Sequence, residues 1–157
     1  MKTAIKSFFA VVCILATAVC LAQPPKRNTA PQRFKPPKLT CRLGNNMDSA
    51  IVTVDEAIQL AKLPLKITDN KNNSYTISSY QCMYTRKAVT EDEGTGKVTP
   101  TKSMVADLFK VTPLPDLWKN IISQQIQPGE ELYFFDIIVK DAKGRLMFAP
   151  NLKIKVK

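Results

Sequence analysis

The 157-residue chain contains no histidine. That removes the Ser-His-Asp and Cys-His nucleophilic schemes and the common zinc and iron sites built on imidazole. Carboxylates are the main groups left that could do chemistry, and they cluster twice. Glu91-Asp92-Glu93 would attract Ca²⁺, but it lacks the alternating oxygen ligands and the distant closing glutamate of an EF-hand loop. It reads as a solvated acidic loop, and no metal is assigned to it. Glu130-Glu131 precedes a strand, where neighbouring side chains point to opposite faces. That argues against a shared acid/base pair of the glycosidase kind. There is no Gly-x-Gly-x-x-Gly fingerprint and no P-loop. No catalytic, cofactor-binding or metal residue is therefore assigned, and a non-enzymatic protein is expected.

The thiols must be read together with the compartment. Residues 1–22 have the form of a secretory signal: Lys2 and Lys6 at the start, an apolar run from Phe8 to Leu21, and small residues before Gln23. The apolar run is short for a bilayer span, so cleavage after Ala22 is expected, with no transmembrane segment afterwards. The mature chain is then exported, to the periplasm, the cell surface or the medium. Cys13 and Cys20 leave with the signal; Cys41 and Cys82 stay. An even pair in an oxidising compartment makes Cys41 and Cys82 candidates for a disulfide. It would close a loop of about 40 residues, worth up to roughly 4 kcal/mol on the chain-entropy account. Two separate buried thiols are the alternative.

Residues 23–38 form a tail with five prolines (Pro24, Pro25, Pro31, Pro36, Pro37), five cations and no acid. Such a segment buries almost nothing and stays extended. Of the net +10, two charges belong to the signal and five to this tail, leaving three on residues 39–157. The folded part is only mildly basic and lacks a basic face with stacking aromatics, so no nucleic-acid partner is expected.

Residues 39–157 have the length of one domain, and their apolar pattern is mainly that of strands. Thr40–Leu43, Ala50–Val54, Leu65–Thr68 and a long run from Ser74 to Arg86 read as strands. Between them, Thr53 or Asp55 caps a short helix that Pro64 ends. Alternation places Tyr75, Ile77, Ser79, Gln81 and Met83 on one face of the long strand, and Tyr80, Cys82 and Tyr84 on the other. Residues 88–102 read as a loop. Pro115 and Asp116 start a second helix with an apolar stripe of Leu117, Trp118, Ile121, Ile122 and Ile126. Trp118 reads as a core anchor, with a ligand platform as the alternative. Pro128-Gly129 marks a turn, and residues 130–140 are apolar on both faces, as for a central strand covered on both sides. Asp141-Ala142-Lys143-Gly144 is a hairpin turn. Leu152, Ile154 and Val156 alternate with Lys153, Lys155 and Lys157 in a last strand whose lysines discourage edge-to-edge pairing.

The helix at Leu117–Ile122, the Gln127-Pro128-Gly129-Glu130 turn, Tyr133-Phe134-Phe135-Asp136-Ile137, Lys140-Asp141-Ala142-Lys143-Gly144 and the terminal strand resemble the C-terminal domain of the gliding-motility protein GldM of Bacteroidetes. The likeness spans most of residues 39–157 and is sharpest after Leu114. It implies an Ig-like β-sandwich with one or two short helices, used for protein–protein contacts in the cell envelope. The family's motor role is not implied, because the long helical region and a retained membrane helix are missing from this pattern. Asp48-Ser49-Ala50 resembles the tripeptide on which Bacteroidetes attach O-glycans, which makes Ser49 a candidate glycosylation site; a turn before a strand is the alternative. The expected function is a protein–protein assembly module of the envelope, with an envelope protein as partner. The alternatives are a cargo of type IX secretion, whose terminal strand acts as a signal, and a surface carbohydrate or ligand binder using Tyr80, Tyr84 or Trp118.

Overall fold

Two places where the backbone breaks strict alternation shape the fold. The computed structural model describes residues 34–157; the expected signal at 1–22 and the tail up to residue 33 lie outside the described residues. Nine strands and two helices follow in order: β1 Leu39–Leu43, β2 Asn46–Met47, β3 Ser49–Val52, α1 Val54–Ala61, β4 Leu65–Asp69, β5 Ser74–Glu91, β6 Val98–Phe109, α2 Asp116–Gln125, β7 Glu131–Lys140, β8 Leu146–Phe148 and β9 Leu152–Val156. The strands form one sheet in the order β2-β1-β4-β5-β7-β9-β3, with β6 added to β5 and β8 to β7. The first and last members of that order, β2 and β3, are separated in sequence only by Asp48. Asp48 has φ 57°, and its carbonyl accepts the Lys153 N–H at 2.8 Å. The sheet is therefore nearly closed on itself.

The expected turns and caps are in place. Gly129 has φ 89°, and Glu130 N–H closes the Pro128-Gly129 turn on the Gln127 carbonyl at 3.1 Å. Gly144 has φ 76° and closes the β7–β8 hairpin on Asp141. Thr53 Oγ1 caps α1 by accepting the Glu56 N–H, and Ala57, Leu60 and Ala61 face the core. In α2, Trp118 and Ile122 are buried with Ile126 just beyond. Leu117, read as part of that stripe, is 69 % exposed instead; it lies one residue before Trp118, about 100° around the helix. On β9, Leu152, Ile154 and Val156 are buried and the lysines point outward. This strand is not an edge, however: β7 pairs with one side and β3, in parallel, with the other.

Bulges correct two further expectations. On β5, Tyr75 and Ile77 face the interior first, then Tyr80, Cys82 and Tyr84. The register against β7 slips between Ile77 and Ser79 and again before Gln81, which switches the inward side. On β7, Asp136 takes φ 48°, so the inward set passes from Leu132 and Phe134 to Ile137 and Val139. The double-sided apolarity of this strand reflects that switch. Its other face is half-buried, with Tyr133 and Phe135 stacked at 5.2 Å.

The disulfide expected between Cys41 and Cys82 is absent; each stands as a free, buried thiol. The pairing explains the separation. Cys41 sits opposite Ile67 on β4, and Ile67 opposite Tyr75 on β5. Cys82 lies seven residues further along β5, beside Phe134 of β7. Burial pushes the Cys41 thiol up to about 12 and raises Cys82 as well, which disfavours the reactive thiolate at both.

Candidate interaction surface

The segment read as a loop, 88–102, is mostly strand. β5 runs on to Glu91 and β6 begins at Val98, paired residue by residue from Glu91↔Val98 to Tyr80↔Phe109. The turn between them is organised by Asp92, whose Oδ1 accepts Thr95 N–H at 2.8 Å, Thr95 Oγ1–H at 2.7 Å and Gly94 N–H at 3.2 Å. Gly96 follows in the left-handed region at φ 64°. The acidic run thus serves as a hairpin tip. Thr90 and Thr101 touch across the two strands at 3.3 Å, a cross-strand pair suited to an exposed ribbon.

The pairing of β5 with β7 stops at Thr85↔Glu131. Beyond it, β5 and β6 have only each other and form a two-stranded arm. Among the described residues β6 pairs with β5 alone, so its outer edge has no strand partner. The direction of that edge follows from Pro100, which lacks an N–H and fits a strand only where its nitrogen faces away from the ladder. Even-numbered residues of β6 share that direction. Leu108 agrees: its N–H is taken by its neighbour Asp107 Oδ1 at 3.0 Å. Lys102, Met104 and Ala106 therefore present the outward backbone groups. Met104 is 65 % exposed, and Leu108 and Val105 also stand in solvent.

The root of the arm is locked by a buried carboxylate. Glu130 is 3 % exposed. Its Oε1 accepts the Lys87 N–H at 3.0 Å, the first β5 donor left over where the β7 ladder ends. Its Oε2 accepts Tyr84 O–H at 2.5 Å and Gln127 N–H at 3.0 Å. Burial first, and then this bond to Glu130, raise the Tyr84 hydroxyl pKa. Glu131 points the other way and pairs with Lys153 at 2.9 Å. The two neighbouring carboxylates thus lie on opposite faces.

Beside Glu130 lies Arg86, on the inner face of the arm. Its Nη1 donates to Gln125 Oε1 at 2.7 Å, and its guanidinium carbon lies 5.7 Å from the centre of the Tyr84 ring. Its Nε is buried without an acceptor. A buried donor left unpaired costs about 1–3 kcal/mol, so its presence calls for a reason.

Tyr80, Tyr84 and Trp118 are all buried and make no flat outer platform for a sugar. Tyr80 O–H donates to the Val111 carbonyl at 3.0 Å, and the Trp118 ring packs edge-on against Phe109 at 5.3 Å. Ser49 is exposed at the start of β3. Among the described residues no group of acidic, histidine or cysteine side chains is arranged to hold a metal, and no helix is long and apolar enough to cross a membrane. The sequence did not mark Arg86 as a site residue or residues 88–102 as strand, because residues 89–100 carry no apolar alternation. Compared with known protein families and with curated proteins, the chain matches none.

Proposed function

We propose that this chain is a non-enzymatic, exported module that binds a protein partner of the cell envelope by strand addition to β6. The observation that carries it is the outward edge at Lys102, Met104 and Ala106, set on an arm with exposed apolar side chains. An unpaired edge of this length offers main-chain hydrogen bonds to an incoming strand. Met104 and Leu108 would supply side-chain contacts. The likeness to the GldM C-terminal domain supports the same reading, and the Ig-like description belongs with it: β5 contributes to a small group with β1, β2 and β4 and to a larger one with β6, β7 and β9. Export rests on the form of residues 1–22, and glycosylation at Ser49 on its tripeptide and exposure. The cargo reading is less well supported, because β9 is a central core strand and not a detachable end.

The test is site-specific photo-crosslinking from position 102 or 106 in the host envelope, with and without Met104→Pro. Proline is tolerated at the equivalent Pro100 and removes an outward donor. The expected result is one partner crosslinked by the parent and lost in the variant, with the circular dichroism of the two proteins alike. Equal crosslinking in Met104→Pro, or none from either position, would overturn the proposal.

A further inference from the structure

We infer that the hollow at the root of the arm is a binding site for a carboxylate borne on a small apolar group. This goes beyond the strand-edge reading and does not rest on it, since the hollow is on the inner face of the arm. Tyr84, Arg86, Val105, Trp118, Ile121 and Gln125 enclose a volume of about 120 Å³, close to the roughly 150 Å³ that accepts a benzene-sized group. A wider hollow of about 390 Å³ adjoins it, sharing Arg86 and Gln125 and extending past Lys87, Ser103 and Glu130.

The walls and the charge together select the ligand. Tyr84, Val105, Trp118 and Ile121 offer carbon, while Arg86 supplies the cation. Gln125 fixes the plane of the guanidinium through Nη1 and leaves Nε buried without an acceptor. The ion pairs among the described residues involve Lys119, Arg145 and Lys153, not Arg86. The nearby acid, Glu130, has both oxygens committed to Tyr84, Lys87 and Gln127. A carboxylate meets a guanidinium through two parallel charge-assisted hydrogen bonds. Arg86 is part-exposed, so a ligand reaches its outer nitrogens and engages Nε–H by a small turn of the side chain. The chain's own tail does not fit, because residues 23–38 carry five cations and no acid. The carboxylate comes from a peptide C-terminus or from a free organic acid.

Trp118 is the only tryptophan in the chain and lines the hollow, so its emission reports on occupancy. The full chain is titrated with acetyl-leucine, acetyl-glycyl-leucine and the C-terminal amide of each. Saturable changes with both acids and none with the amides are expected. Arg86→Gln should weaken the acids about tenfold or more, with Arg86→Lys intermediate because it keeps the charge and loses the two-point geometry. Ile121→Phe, which fills the hollow and leaves Arg86 in place, should block binding by bulk, and serves if Arg86→Gln alters the circular dichroism. Tighter binding of the dipeptide acid assigns the site to peptide C-termini, and equal binding assigns it to free acids. Equal responses to acids and amides, no saturation at millimolar ligand, or undiminished binding by both Arg86→Gln and Ile121→Phe would overturn the inference.

Discussion

Single residues here often settle the ends of elements, and Asp69 does so most directly. Its Oδ1 accepts Lys71 N–H at 2.8 Å and Asn73 N–H at 3.0 Å; its Oδ2 accepts the Asn73 amide at 2.9 Å and Tyr75 O–H at 3.1 Å. The Asn73 side-chain bond leads, burial opposes, and the backbone and Tyr75 bonds add to bring the carboxyl from 3.8 to about 2. A carboxyl held lower in the folded than in the unfolded chain contributes stability that is complete above its unfolded value. That contribution is lost as pH falls to the folded one. Asp69→Asn should therefore be less stable than the parent at neutral pH, with the gap shrinking between about pH 4 and pH 2. Urea unfolding across that range is the check, and a constant gap would refute the assignment. The polar turn at residues 69–73 was legible from composition. The network was not, because hydrogen bonds within a turn leave no periodic trace.

At the scale of elements, what was readable and what was not divide by one rule. Pro128-Gly129, Asp141–Gly144 and the Thr53 cap were legible because each needs a residue type that few others can replace. The face assignments of β5 and β7 failed in part because a bulge moves every later side chain across the sheet, as at Asp136, without an obligatory residue to announce it. The outer part of the arm was read as a loop because residues 89–100 have no buried face, so apolar alternation, the signal that marks a half-buried strand, is missing there. That same lack of burial makes the arm dispensable for folding. Replacing residues 89–100 with Asn-Gly should leave the thermal midpoint within about 2 °C of the parent, since exposed changes of this kind stay within about 0.5 kcal/mol. Calorimetry would show it, and a fall of about 10 °C or more would mean that the arm supports the core.

For the molecule as a whole, the decisive element is β9, whose alternation of three apolar residues with two lysines announced its inward face but not its neighbours. It bridges β7 and β3, and Lys157 N–H donates to the Val52 carbonyl at 2.8 Å. Removing residues 152–157 would take out three fully buried aliphatic side chains, each worth about 2–4 kcal/mol. Their sum rivals the 5–15 kcal/mol that holds a domain together. The truncated chain should show an unfolded far-UV spectrum and rapid proteolysis; a native spectrum would contradict the central placing of β9.

The pairing of β3 with β9 also sets a clock. A strand near residue 50 waits for one near residue 155, and until that one arrives the sheet has an open seam with Val52 and Leu132 unshielded. Closing the sheet therefore waits on a contact between strands roughly a hundred residues apart, the kind of distant pairing that slows folding.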